Sequence, residues 1–211
     1  MLPAGVARRR ARGLVWLVVA LLPVPVPVPA PASAAEDWRV DPARSQVEFG
    51  VRLMVLRKLH GAIPQVAGQV RIDRERDQVD IDVALDARSL QMDNPRHGDW
   101  ARSDEFFDTR RHPVIRFRAL AQPLPRFRDG GTVHGEVTLR GITRPIVLEV
   151  EPAGCERIGR DCEVRAHGAV ERSRFGMHSR RMFLGDRVEL EFAIRLVDAP
   201  ADPAPSSESG H

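Results

Sequence analysis

The chain has 211 residues, with 32 lysines and arginines against 29 aspartates and glutamates. Four of the arginines and none of the acids fall in residues 1–34, so the rest of the chain has 28 basic and 29 acidic residues and a net charge of −1. The overall charge therefore gives no support for binding to nucleic acid or to an anionic membrane. The length suffices for one domain with a hydrophobic core.

Residues 1–34 have the composition of a cleavable signal peptide. Four arginines between Arg8 and Arg12 precede an apolar run at 13–22, and Ala32-Ser33-Ala34 fits the small-residue rule for cleavage before Ala35. The apolar run has about half the length of a helix that spans a bilayer. We therefore predict export from the cytoplasm and no stable insertion into the membrane, with an uncleaved anchor as the alternative.

The two cysteines, Cys155 and Cys162, lie in a short connection between two strand-like runs. Outside the cytoplasm an isolated pair of this kind favours a disulfide. A redox pair or a metal site is the alternative, but the spacing lacks the Cys-x-x-Cys pattern. We expect no bound metal and no cofactor.

Alternation of apolar and polar residues dominates the chain after the leader, and it indicates strands with one buried face. Eight such runs are found, at 47–53, 66–72, 79–85, 115–119, 133–139, 146–150, 164–170 and 188–196. The short connection at 141–145 predicts an antiparallel hairpin. The sequence thus predicts an all-β fold, an eight-stranded antiparallel barrel over residues 35–197, followed by a disordered polar tail at 198–211.

One segment, 94–108, departs from the alternation and predicts a short helix capped by Asn94 with Pro95 in its first turn. Its apolar side chains, together with those of the late irregular segment at 173–185, either plug one end of the barrel or line the mouth of an apolar tunnel. The alternation does not separate a packed barrel from one that holds a slim ligand. These side chains are Trp100, Phe106, Phe107, Phe175, Met177, Met182 and Phe183.

No catalytic motif of a known kind is found in the sequence after the leader. His97 and His112 flank the predicted helix, and Asp104 and Glu105 lie on it, so an enzyme that acts on an amphiphile is one hypothesis. Solvated histidines and surface ion pairs are the simpler interpretation. We predict a protein without catalytic activity.

Several ordered blocks of the chain resemble the YceI-like family of periplasmic polyisoprenoid-binding proteins. The blocks are WRVD at 38–41, SQVEF at 45–49, SDEFFD at 103–108, HPVIRF at 112–117, VHGEVTLRGITRP at 133–145, ERSRFG at 171–176 and GDRVEL at 185–190. The chain departs from the pattern at Leu53, where the family often has histidine, and at Ile63, where it often has an aromatic residue. It also contains no tyrosine.

The resemblance implies a lipocalin-like barrel with a helical lid that holds a long isoprenoid chain, of the ubiquinone or polyprenyl type, in an apolar lumen. It also implies a periplasmic location and a homodimer. Headgroup contacts are expected from Asn94, His97 and Arg102. The residues expected to line the lumen and its lid are Phe49, Val51, Leu53, Trp100, Phe106, Phe107, Ile115, Phe117, Val137, Leu139, Phe175, Met177, Phe183 and Phe192.

A lipid carrier is therefore the leading hypothesis. A barrel filled by its own side chains, with a surface that binds a protein, is the second, and a hydrolase acting on an amphiphile is the third. Export removes the protein from the supply of ATP and NAD(P)H, which favours passive binding.

Overall fold

The computed structural model describes residues 35–54, 57–179 and 182–199. The predicted leader and the tail from residue 200 onward lie outside the described residues. The last strand extends to Asp198, one residue into the predicted tail. None of the helices in the described ranges is long and apolar enough to cross a membrane.

The described residues form one curled antiparallel sheet of twelve strands with a few short helical segments. The strands are β1 (Glu36–Val40), β2 (Gln46–Leu53), β3 (Arg57–Ile63), β4 (Val66–Asp73), β5 (Gln78–Asp86), β6 (Gln91–Met92), β7 (Val114–Pro123), β8 (Gly131–Leu139), β9 (Ile142–Val150), β10 (Val164–Glu171), β11 (Leu184–Ile194) and β12 (Leu196–Asp198). The α-helices are α1 (Pro95–Arg102) and α2 (Pro125–Arg128), and Ala87–Ser89 and Arg172–Phe175 form 3₁₀ turns.

The predicted count of eight strands is wrong, although seven of the eight predicted runs lie within a strand of the structure and the eighth, 188–196, runs from β11 into β12. The strands that were missed are β1, β3 and β6, and β12 was not separated from β11. β3 was missed because Arg57, Lys58 and Gly61 dilute its alternation of Leu59 and Ile63. β1 and β6 are too short to show a period.

The chain bends at three places as it runs along the sheet. Each bend separates two consecutive strands. β1 is separated from β2 by residues 41–45, β3 from β4 by two residues, and β11 from β12 by Arg195 alone. β1 pairs with β4 and β12, whereas β2 pairs with β3 and β11. The backbone N–H of Arg195 donates to Ser45 Oγ at 2.9 Å, and its carbonyl accepts from Asp41 N–H at 2.8 Å. These bonds hold two bends side by side and curl the sheet around its apolar face.

The β8–β9 hairpin is tighter than the sequence predicted. Leu139 pairs with Ile142, so only Arg140 and Gly141 form the turn, and both have positive φ, 53° and 73°. Two positive φ angles characterise the type I′ turn that fits the twist of a hairpin. Residues 142–145, predicted as part of the connection, belong to β9. Pro145 lies outside the stretch of β9 that pairs with β10, where a strand tolerates proline.

The predicted helix at 94–108 is confirmed in its first half. Asn94 Oδ1 accepts from Arg96 N–H at 3.0 Å, and Pro95 is in the first turn, so the predicted cap and first position are correct. The helix ends at Arg102 because the chain turns there, and Asp108 takes a positive φ of 45°. The segment 103–109 folds back onto α1, with Phe107 N–H donating to Ala101 O at 3.0 Å.

An apolar lumen in two chambers

The inner face of the curled sheet encloses an apolar cavity of about 100 Å³ near the end where α1 lies, which we name the upper chamber. Strands β2, β3, β7, β8 and β11 supply most of its wall, and α1 contributes Trp100 and Ala101. Trp100 packs edge-on against Phe106 with centroids 4.2 Å apart, and Phe107 lies 5.6 Å from Phe49. These aromatic pairs cover the chamber with side chains from α1 and from the segment that follows it.

A second apolar cavity of about 100 Å³, the lower chamber, lies farther along the same face. Its wall comes from β4, β5, β8, β9, β10 and β11. At its far end lie Leu124, which caps α2, Phe127 of α2, and Ile158 of the loop between the cysteines. The chamber thus ends on two short irregular segments.

Two phenylalanines separate the chambers and line both of them. Phe117 of β7 and Phe192 of β11 approach each other with ring centroids 6.5 Å apart and planes tilted by 40°. We name this pair the waist. The Phe117 ring lies over Gly135, where a Cβ atom would come within 2.7 Å of Phe117 Cε2. Gly135 therefore makes room for the ring, and a larger residue there would push the waist out of place.

Above the upper chamber an open pocket of about 490 Å³, which we name the vestibule, faces solvent. It shares Leu59, Trp100 and Leu184 with the upper chamber, and its other lining residues are Leu53, Met54, His97 and Phe183. The upper chamber and the vestibule are thus separated only by side chains that line both. The mouth of the lumen is at this end of the barrel.

One charged residue, Arg172, lines the otherwise apolar upper chamber. Its side chain is 2% exposed and donates to four backbone carbonyls, those of Met177, Ser179, Leu184 and Gly185, at 2.8 to 3.0 Å. A buried guanidinium needs such compensation. The bonds tie the 3₁₀ turn to residues 177–179 and to the start of β11. Arg172 was missed as a lining residue although it lies in the ERSRFG block at 171–176, because that block contains two arginines and its pattern does not show which one is buried.

The predicted disulfide between Cys155 and Cys162 is present in the structure. The loop it closes is fixed to the last strand, because Leu196 N–H donates to Gly159 O at 2.7 Å and the Arg195 guanidinium bonds the carbonyls of Arg160 and Asp161. Gly159 has a φ of 84°, and a Cβ there would meet Leu196 Cδ1 at 2.7 Å. The bridge thus holds Ile158 against the end of the lower chamber.

A comparison with known protein families identifies the family of the domain that contains this lumen. The model of the YceI-like domain matches residues 38–196. The chain belongs to the YceI-like family. Among its relatives, Protein YceI of Escherichia coli is 23% identical over 141 residues, which cover 62% of this chain and 73% of that protein. A UPF0312 protein of Yersinia enterocolitica is 23% identical over 125 residues, 58% of this chain and 64% of the relative's length.

Solved structures share the YceI-like fold with this chain. BcnA of Burkholderia cenocepacia superposes with a TM-score of 0.59 at 20% identity, covering 75% of this chain and 99% of BcnA. A polyisoprenoid binding domain from Saccharophagus degradans, implicated in plant cell wall breakdown, gives a TM-score of 0.57 at 13% identity, covering 77% of this chain and 98% of that domain. At these identities the likeness shows the fold alone.

Within the YceI-like lumen, most of the residues that the sequence analysis assigned line a common cavity. Leu53 and Phe183 line the vestibule instead of the chamber. Phe175 is buried, with 1% exposed, but lies outside the linings of the vestibule and both chambers. The assigned residues that do line the upper chamber are Phe49, Val51, Trp100, Phe106, Phe107, Ile115, Phe117, Val137, Leu139, Met177 and Phe192. Their role in binding stays a prediction, as does the homodimer.

The three predicted headgroup residues are placed differently. His97 lines the vestibule. Asn94 caps α1, and Arg102 donates to Leu90 O at 2.6 Å and to Asp99 Oδ1 at 2.7 Å, so both serve the local structure of the helix. Neither lines the vestibule, because their polar groups are turned to the α1 backbone and its neighbours.

Many charged groups of the described residues form ion pairs at the surface. The hydrogen bond from Arg116 lowers the pKa of Asp82, and the one from Lys58 lowers the pKa of Glu189. Both carboxylates lie on the outer faces of strands, so these shifts do not mark a catalytic centre. Glu105, considered above for catalysis, accepts from Trp100 Nε1–H at 3.1 Å. In the described ranges no group of three His, Cys, Asp or Glu side chains is arranged to hold a metal ion.

Proposed function

We propose that this protein is an exported carrier that binds the apolar chain of an isoprenoid lipid in its lumen and catalyses no reaction. The observation that carries the proposal is an apolar lumen with a mouth at one end and a vestibule above it. The polyisoprenoid binding of the Saccharophagus degradans neighbour supports the same ligand class. Burial of each methylene gives about 0.8 kcal/mol, so a long chain needs few polar contacts.

The size of the chambers adds a condition to the proposal. Each has about 100 Å³, less than the ~150 Å³ of an engineered apolar cavity that takes up benzene. A chain of several isoprene units therefore needs the two chambers joined, and the waist rings are the side chains that stand between them. We propose that Phe117 and Phe192 turn aside when a chain enters, and that the polar end of the lipid stays in the vestibule near His97.

We also propose a periplasmic location and a polyprenyl or ubiquinone-type ligand. An N-terminal leader of the predicted kind would deliver the protein to the periplasm, where a polyprenyl or ubiquinone-type lipid has to leave a membrane to be carried. Within the lumen Arg172 faces the chain with its donors already bonded to carbonyls, so we assign it a structural role.

The small chambers favour a second candidate function. A barrel whose lumen stays filled by its own side chains would act through its outer surface, as an interaction protein. The two candidates differ in whether an apolar molecule enters the lumen, and one experiment separates them.

The experiment combines mass spectrometry of the protein purified from its host with titration of a fluorescent apolar probe. Val137→Phe narrows the upper chamber, where Val137 is 7% exposed, and Val147→Phe is its control on the outer face of the neighbouring strand, where Val147 is 46% exposed. We expect a co-purifying isoprenoid and a probe affinity at least tenfold weaker for Val137→Phe alone. Absence of both lipid and probe binding, or equal binding by both variants, would overturn the carrier and favour the filled barrel.

A further inference from the structure

The apolar side chains exposed at the mouth of the lumen form one group. Among the described residues, seven large apolar side chains are exposed, and four of them are spread over the outer faces of β7, β9 and β12. The other three, Met54, Met182 and Phe183, are exposed by 65%, 91% and 54%. We name these three the rim.

The rim is one surface because two separate turns meet there. Met54 N–H donates to Phe183 O at 2.7 Å, and the adjacent residues Leu53 and Leu184 are paired across β2 and β11. Met54 and Phe183 also line the vestibule. The rim therefore continues the apolar lining of the lumen out to the surface.

The charge around the rim has one sign in the sequence. Residues 49–63 and 172–185 contain lysines and arginines but no aspartate or glutamate. Arg52, Arg57 and Arg174 are exposed. On the adjoining strands Lys58 pairs with Glu189 at 2.5 Å, and Glu171 stands opposite Arg187, so these four charges offset one another. Acids occur at the same end of the protein, since Asp186 accepts from Ser173 and α1 carries the exposed Asp99, so the excess of positive charge is confined to the two turns that form the rim.

We propose that the rim docks the mouth of the lumen onto an anionic phospholipid surface, where the lipid is loaded or delivered. Exposed apolar side chains flanked by bases have the chemistry of a segment that enters the lipid interface and is attracted by anionic headgroups. Three side chains are too few for a typical protein interface, which uses about 20–30 residues a side. Methionine adapts to an irregular apolar environment. The inference rests on the proposed function for what passes through the mouth, but not for the docking itself.

The test is flotation of the purified exported protein with vesicles of phosphatidylcholine, with and without phosphatidylglycerol. We expect at least tenfold more bound protein on the anionic vesicles. The double variant Met182→Ser/Phe183→Ser should lose that binding, and Arg57→Glu should reduce the difference between the two vesicle types. The control Leu120→Ser/Val147→Ser removes exposed apolar side chains from the outer strand faces and should float like the wild type.

The fluorescent probe in solution keeps this proposal separate from the carrier. Met182→Ser alone, which changes a rim side chain outside the linings of the vestibule and both chambers, should bind the probe as the wild type does and should take up an isoprenoid from vesicles more slowly. A wild type that ignores anionic vesicles, or rim variants that float unchanged, would overturn the docking even if the probe binds. A wild type that floats but binds no probe would overturn the carrier and leave the docking. Loss of self-association in the rim variants without a change in flotation would identify a protein interface and overturn the proposal.

Discussion

The upper and lower chambers have the same volume, about 100 Å³, and similarly apolar walls, but their ends are built differently. Over the upper chamber lie single side chains from α1 and the segments after it, Trp100, Phe106 and Phe107, below an open vestibule. At the end of the lower chamber lies a loop that a disulfide closes, that one main-chain bond joins to β12 and that the Arg195 side chain holds through two further bonds.

The backbone is fastened at both ends, by the hydrogen bonds of Arg172 at the upper end and by the disulfide loop at the lower end, but the cover over the upper chamber consists of side chains. We propose that rotation of these side chains opens the mouth and that rotation of the waist rings joins the chambers, whereas the disulfide keeps the loop at the lower end in place. A ligand that enters from the vestibule therefore meets increasing resistance along the lumen. Arg172→Met tests the upper end, Phe117→Ala tests the waist, and Cys155→Ser/Cys162→Ser tests the lower end.

Arg172→Met should have the largest effect. It leaves up to four carbonyls of residues 177–185 without their charged donor, and each buried acceptor that stays unsatisfied typically costs about 1–3 kcal/mol. We expect that loss in the free energy of unfolding measured in urea, with faster hydrogen exchange at residues 177–185. The exposed neighbour Arg174→Met is the control. Equal destabilisation by both variants would contradict the role of Arg172 in fastening the mouth.

Phe117→Ala should remove half of the waist. Truncation of a buried phenylalanine costs about 3–5 kcal/mol, and we expect the lower part of this range because Phe117 borders cavities on both sides. The joined chambers should accept a probe with a longer apolar tail, measured as tighter binding of the long probe relative to a short one. Phe127→Ala, at the lower end, should cost similar stability without that change in preference. An unchanged preference in Phe117→Ala would show that the waist does not limit chain length.

Cys155→Ser/Cys162→Ser tests the fastened end. Removal of a bridge across this short loop should lower the free energy of unfolding by about 2.5 kcal/mol. Faster hydrogen exchange should be confined to residues 156–162 and 196–198, because the loop bonds only that part of the sheet. Wild type treated with reductant should behave in the same way. Faster exchange at residues 100–107 as well would mean that the two ends are coupled rather than different.

The sequence analysis succeeded where a single periodicity decides the structure. Strands such as β5 and β8 alternate throughout, and inward positions such as Phe117 and Val137 followed directly from that pattern. The disulfide and the cap at Asn94 were correct because they depend on residues close together in the chain.

The features that were missed depend on contacts between distant residues. The bend at Arg195 is stabilised by Ser45, 150 positions away, and no local pattern indicates it. The waist arises where β7 and β11 face each other across the lumen, and the burial of Arg172 depends on carbonyls of a turn with no repeating pattern. The exposure of Met182 and Phe183 was missed for the same reason, because the sequence does not show whether apolar residues near the end of a barrel are buried in it or exposed at its mouth.

Asp82→Asn should have the smallest effect. Asp82 lies on the outer face of β5, a strand that lines the lower chamber with its inner face and pairs with β7, the strand of Phe117. Asp82 accepts from Arg116 Nε–H at 2.7 Å, and this hydrogen bond lowers the pKa of its carboxyl below the usual value. A lowered pKa in the folded state means that the ionised pair stabilises the protein above the unfolded pKa, about 3.9, and that this stabilisation is lost as the pH falls through the folded pKa. The half-exposed pair contributes up to about 1 kcal/mol. Urea unfolding should therefore show a difference between wild type and Asp82→Asn at pH 7 that becomes smaller as the pH falls below about 3.9, whereas the exposed Asp93→Asn should match the wild type throughout. A difference that does not change with pH would mean that Asp82 acts through packing rather than through the charge of its pair with Arg116.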